Sequence, residues 1–349
     1  MTSRGRREES TRNRATRAFR LALLVAGVVA ASPDRTASAQ PAVRSASLTR
    51  PDVSLSYRTA GTGSTILLLS GGPGYSGDYL TDVFTHVAQH ARAVLLDQRG
   101  TGQSRLKRLD STTITLQKEI EDVDALRVAL HVDRITLLGH SWGGQLAMAY
   151  AAAHPDHVAA LILVGSGGPS LRSQDTIGKK LAARLTPADR DSISAWSALA
   201  TGPRRAEALR EMARLDRKAY MYDVRKQPAV EREKGGASFD SRVSTLVFQD
   251  LERTHFDLSA SLARLREQSS LPFPVLLIYG DADVIGVTTA PEISPLFPQA
   301  QKEIVPHSGH YPWIEAPSRF YSDLDRFTSR PPPRPTAARP RPASRPSPR

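Results

Sequence analysis

Ser141 sits in the run Gly139-His140-Ser141-Trp142-Gly143, directly after the apolar stretch RITLL and directly before GQLAMAYAAA at 144–153. Gly-x-Ser-x-Gly between a strand and a helix is a nucleophile elbow: its turn is too sharp for side chains at the flanking positions, and it lifts the serine hydroxyl onto a helix N-terminus. A hydroxyl is a weak nucleophile, so it needs a base, and the base needs an orienting acid. In hydrolases built on this elbow both lie downstream, acid before histidine. Here Gly280-Asp281-Ala282-Asp283 follows the apolar run at 274–279, and Pro306-His307-Ser308-Gly309-His310-Tyr311-Pro312-Trp313 follows the short run at 303–305. Spacing alone leaves Asp281 and Asp283 nearly even, and likewise His307 and His310.

Acyl transfer at such a serine also needs two backbone N–H donors for the oxyanion. One belongs to Trp142, the residue after the nucleophile. The other belongs to Ser70-Gly71-Gly72-Pro73-Gly74, where glycines let the backbone approach the substrate carbonyl. His140 is expected to be structural, because the elbow aims the serine's neighbours elsewhere.

Positioning these groups takes alternating strands and helices. Near-continuous apolar runs at 65–70, 93–97, 134–139, 160–164, 274–279 and 303–305 read as strands buried on both faces of a mostly parallel sheet, with helices at 116–130 and 145–153 between them. Both the acid loop and the histidine loop then fall at the strand ends where ligand chemistry gathers. Alternation fails over 167–271, which is rich in Ala, Arg, Leu, Asp and Glu and has helical spacing at 206–220 and 254–267. It reads as a helical insertion between two strands.

Five motifs together resemble the proline iminopeptidase branch of the α/β-hydrolase superfamily. They are Ser70-Gly-Gly-Pro-Gly74, Asp97-Gln-Arg-Gly-Thr-Gly-Gln-Ser104, Gly139-His-Ser-Trp-Gly-Gly144, Gly280-Asp-Ala-Asp283 and Ser308-Gly-His-Tyr-Pro-Trp313, and the resemblance spans about residues 50–328. It implies an α/β-hydrolase fold, a mostly parallel sheet flanked by helices, with an inserted helical cap domain. It also implies Ser141 as nucleophile, Asp283 as orienting acid, His310 as base, and the amides of Gly72 and Trp142 as the oxyanion hole. Such enzymes release N-terminal residues, often proline, from short peptides or amides through an acyl-enzyme, without a metal or other cofactor. A capped carboxylesterase or lactonase acting on small esters would share every one of these motifs.

Two departures bear on specificity. Ser70 stands where the family loop begins with His, so the packing of that loop must differ. The aminopeptidases hold the substrate's ammonium with cap carboxylates, and this stretch offers Glu207, Glu211, Asp216, Asp223, Glu231 and Glu233 without a pattern that picks among them. Glu207 and Glu211 are carried forward as candidates, with Tyr220 and Tyr222 as candidate walls for a prolyl ring. The Asp97-Gln-Arg run reads as a structural turn whose Asp97 and Arg99 are tied into hydrogen bonds.

Composition bounds the rest. With 40% hydrophobic and 23% charged residues the chain is built to fold, and with no cysteine it has neither disulfides nor a thiol nucleophile. The formal charge of +12 is concentrated at the ends, since residues 1–39 carry 8 basic and 3 acidic side chains and residues 330–349 carry 6 Arg and no acid. An Arg-rich stretch, the apolar run at 21–31 and Ala37-Ser38-Ala39 form the pattern of a cleaved secretory signal. The apolar run is short of the roughly 20 residues a membrane span needs. The tail has 8 Pro in 20 residues and nothing apolar to bury, so it reads as a disordered segment suited at most to anionic envelope surfaces. The expected organisation is a signal peptide at 1–39, a core at 40–166 and 272–329, the insertion at 167–271 and the tail at 330–349. The expected protein is periplasmic or secreted. Its partner is a small peptide, amide or ester; the nearly neutral body has no motif for nucleic acid.

Overall fold

Leu67 and Leu69 bury on one face of a sheet while Ile66 and Leu68 bury on the other, as a two-residue period requires of a strand covered on both sides. The computed structural model describes residues 41–235, 237–267, 271 and 273–329, so the expectations for the signal and the Arg/Pro tail lie outside the described residues. The strands are β1 (Arg44–Thr49), β2 (Val53–Ala60), β3 (Thr65–Leu69), β4 (Arg92–Leu96), β5 (Arg105–Leu106), β6 (Ile135–His140), β7 (Val158–Val164), β8 (Val275–Gly280) and β9 (Gln301–Val305). They form one sheet in the order β1-β2-β4-β3-β6-β7-β8-β9, with β5 beside β2. From β4 to β9 every pairing is parallel, and β2 joins β4 antiparallel.

The helices are α1 (Thr81–Val87), α2 (Leu116–Ala129), α3 (Trp142–Ala153), α4 (Gln174–Arg184), α5 (Pro187–Leu199), α6 (Arg205–Arg217), α7 (Gln227–Gly235), α8 (Ser241–Arg253), α9 (Ser259–Glu267), α10 (Val284–Ile293), α11 (Pro312–Glu315) and α12 (Pro317–Thr328). Val123 and Leu126 of α2 and Leu146 and Tyr150 of α3 pack on one sheet face. Phe84 of α1 and Phe320 and Leu324 of α12 pack on the other. Helices α4 to α9 intervene between β7 and β8.

The sheet order places the chemistry. The chain leaves β3 for β4 on one side and returns to β6 on the other, so β3 and β6 flank a switch point, where parallel sheets open a crevice at their strand ends. The register Leu69↔Gly139 sets the ends of β3 and β6 side by side, and Gly280↔Val305 does the same for β8 and β9.

Two stretches differ from the sequence reading. The edge hairpin β1–β2 was not expected: β1 is almost wholly exposed and so carries no apolar run. The region expected to be helical at 254–267 begins later, because Thr254 caps α8 and α9 starts at Ser259.

Candidate active site

Ser141 is the N-cap of α3 and has φ 57° and ψ −117°. Side chains seldom adopt that conformation, and it survives here because the surroundings hold it. The Ser141 N–H donates to the Val164 carbonyl (3.0 Å), and its own carbonyl accepts from the N–H groups of Gly144 (3.0 Å) and Gly167 (3.1 Å). Serine, Gly72 and Trp142 line one cavity of about 190 Å³. The Trp142 N–H opens α3 and has no carbonyl one turn back, which leaves it free to face a ligand oxygen.

Of the two acids and two histidines left open by spacing, the structure joins Asp283 and His310. Oδ1 of Asp283 lies 3.0 Å from Nδ1 of His310, and both residues are buried. The same Oδ1 caps α10 by accepting the Ile285 N–H (3.0 Å). With Nδ1 engaged by Asp283, Nε2 is the ring nitrogen that would face a nucleophile. Asp281 instead accepts from the backbone N–H groups of His307 (3.0 Å) and Ser308 (3.1 Å), which shapes the histidine loop. His307 is exposed and meets the Tyr222 hydroxyl at 3.1 Å.

Two glycines are dictated by this packing. Gly165, at φ 49°, would put a Cβ 2.6 Å from Oδ2 of Asp283 and 3.0 Å from Nδ1 of His310. At Gly309 a Cβ would meet the Tyr220 carbonyl at 2.2 Å, and that carbonyl accepts the His310 N–H at 2.7 Å.

Three residues that sequence reasoning treated as framework tie the loops together. Gln98, from the Asp97-Gln-Arg run, accepts from the Trp142 indole N–H (2.9 Å) and donates to the Ser70 carbonyl (2.8 Å) and hydroxyl (3.0 Å). It therefore links the elbow to the start of the Gly71–Gly72 loop. Ser70 in turn donates to the Tyr75 carbonyl (2.8 Å), which is how the loop closes without the family's histidine. The third is His140, whose Nε2 is 3.0 Å from the His310 carbonyl. Facing a carbonyl, Nε2 must carry the proton, so Nδ1 accepts from the Tyr79 hydroxyl at 2.8 Å. The Tyr79 oxygen then accepts the Gly71 N–H. One buried relay thus runs from the Gly71–Gly72 loop through Tyr79 and His140 to His310. His140 remains structural, as expected, but the structure it holds is that of the site. Arg99 is fully buried in a two-pronged pair with Asp122 (2.8 Å each), away from the serine.

The four specificity candidates fare differently. Tyr220 lines the cavity, with its ring 5.4 Å from that of His310. Burial, followed by the nearby charge of Asp216, holds its hydroxyl above the ordinary tyrosine range, so it stays neutral. Tyr222 is about half exposed and turned to His307. Glu207 and Glu211 do not line the cavity; they pair with Arg204 (2.8 Å) and Arg214 (2.8 Å), one helical turn away. They behave as solvated helix-face charges because helical spacing offers each a cation nearby.

No residue lining the cavity carries a charge among the described residues. Just behind the wall lies Glu292, which takes the Ser173 hydroxyl on one oxygen. Its other oxygen is buried without a hydrogen-bond partner among the described residues, beside Gly168. Spacing could not have revealed Glu292, which sits on α10 in the second part of the core rather than in the insertion.

Residues 64–317 match the family defined by the alpha/beta hydrolase fold. The chain belongs to the α/β-hydrolase family. It is 25% identical over 272 residues to the proline iminopeptidase of Heyndrickxia coagulans, covering 76% of this chain and 91% of that protein. Among solved structures it resembles the proline iminopeptidase of Mycobacterium smegmatis (TM-score 0.61, 20% identity, 82% of this chain and 98% of that one). It resembles a thermophilic esterase from Thermogutta terrifontis almost equally (TM-score 0.59, 20% identity, 82% and 98%). The α/β-hydrolase scaffold is common to both and does not separate peptide from ester chemistry.

Proposed function

We propose that this α/β hydrolase is an exported serine enzyme that releases a small N-terminal residue, proline among them, from short peptides or amides. His310 takes the proton of Ser141 as its oxygen attacks the carbonyl carbon, and Asp283 stabilises the imidazolium that results. The N–H groups of Gly72 and Trp142 hold the oxyanion. The imidazolium then protonates the leaving amine, and water, activated by the same base, frees the acyl group from Ser141. The observation that carries this reading is the buried 3.0 Å contact of Asp283 with His310 in the loops next to the Ser141 elbow. The peptide preference is supported by the proline iminopeptidase relative, and export by the Arg-rich and apolar N-terminal pattern.

A second reading, a hydrolase of small esters, is favoured by the uncharged cavity wall. Glu292 is the acid that the peptidase reading needs. Prolyl and alanyl arylamides with free amines, assayed beside N-blocked and ester counterparts, separate the two. The peptidase reading expects free amines to be preferred, and Glu292→Gln to raise KM for them about tenfold or more while sparing blocked substrates. Preference for blocked or plain esters, unchanged in Glu292→Gln, overturns it in favour of the ester reading.

A further inference from the structure

On the sheet face opposite α3, the end of α1 meets α12. His86 lies in the last turn of α1 and His90 in the turn that follows the helix, and Asp325 projects from α12. One ligand atom of each lies within 4.8 Å of the other two, and Nε2 of His86 is 2.8 Å from Oδ1 of Asp325. We infer that His86, His90 and Asp325 bind a divalent transition-metal cation of the zinc type and that the cation staples α1 to α12.

The donor chemistry fits. Two imidazoles and one carboxylate are a nitrogen–oxygen set suited to zinc, with bonds of about 2.0–2.2 Å. Tetrahedral donors at that radius lie about 3.4 Å apart, close to the spacing the three donor atoms already have, all within 4.8 Å of one another. The His86 ring stacks on Tyr321 with centroids 4.1 Å apart, which fixes its orientation as an outer partner does for a metal-bound imidazole. Between His86 and Asp325 a proton now bridges, and a cation would replace it. Arg326, the nearest cationic neighbour in sequence, is drawn away to Asp323 (2.7 Å) and Glu303 (3.1 Å). His90 is exposed, which gives the ion a way in and leaves a coordination position open to water.

A second trio, Asp124, His154 and His157, shows what a closed set looks like. There Oδ1 of Asp124 already accepts from Arg127 (2.8 Å), Tyr150 (2.9 Å) and His157 (3.1 Å). A guanidinium against that oxygen repels a cation, whereas among the described residues the Asp325 carboxylate is paired with no Arg or Lys, only with His86.

Calorimetric titration of the untagged, metal-stripped full chain with ZnCl2, with melting followed in parallel, tests the site. The expected result is one zinc per chain, a melting point that rises with zinc, and affinity about tenfold or more weaker in both His90→Ala and Asp325→Asn. Hydrolytic turnover in His90→Ala should match the parent and so certify the fold. No uptake by the parent chain, or uptake that neither variant weakens, overturns the site.

Discussion

Ser141 is held in a conformation that costs about 1–3 kcal/mol, and its neighbours supply the constraint. Its N–H and C=O are fixed by Val164, Gly144 and Gly167, so any change to the β7 end is felt at the nucleophile. Gly165 is the sharpest case. In Gly165→Ala the new methyl must displace Asp283 or His310, and a misplacement of about 1 Å is enough to lower kcat about 100-fold. Steady-state kinetics of a variant that keeps its circular dichroism would show it, whereas parental kcat would mean the pair is not catalytic. Tyr79 gives a finer prediction. Tyr79→Phe leaves the Gly71 N–H buried and unanswered, which costs about 1–3 kcal/mol of stability. The oxyanion loop loosens, so kcat should fall more than KM rises. Equal effects on both would detach the relay from catalysis.

At the scale of elements, the strands made part of the site legible. The runs for β3, β4, β6 and β8 are buried on both faces and lack the alternation of a half-exposed strand, and the loops carrying Gly72, Gln98, Ser141 and Asp283 follow them directly. The histidine loop follows β9, which the sequence reads as buried on both faces but which alternates in burial with Ile304 exposed, as an edge strand does. What stayed hidden depended on partners far away in sequence. Gln98 reaches Trp142 and Ser70, and Glu292 reaches Ser173, across separations that no local pattern encodes. Helix α8 was legible in principle, since Val243, Val247 and Leu251 bury at four-residue intervals. Helix α2 carries a consequence for pH. Burial, reinforced by the charge of Asp122, pushes the Glu119 carboxyl from its ordinary 4.5 to about 8, against the pull of Arg99. Between those values the unfolded chain releases a proton that the folded one keeps, so stability falls as pH rises through the window. Glu119→Gln removes the effect, and its melting point should gain on the parent from about pH 5 to about pH 8. A difference independent of pH would contradict the buried, protonated state of Glu119.

Across the whole molecule, the basic excess sits in the two ends, and the body that carries the chemistry is nearly neutral. Its net charge therefore does not single out a substrate; on the proposed reading, selection falls to the cavity beside Ser141 and to Glu292 behind it. The 6 Arg of the tail leave one larger-scale expectation. The chain ending at residue 329 should release from anionic vesicles at lower salt than the full chain, because screening weakens exposed charge first. Identical salt profiles would retire the tail as an anchor. If Ser141 is a nucleophile activated by His310, a serine-directed fluorophosphonate followed by peptide mass spectrometry detects it without knowledge of the substrate. One adduct is expected, on the peptide containing Ser141, formed rapidly in the parent and far more slowly in His310→Ala. A folded parent that takes up no label, or labels as well in Ser141→Ala, would contradict it.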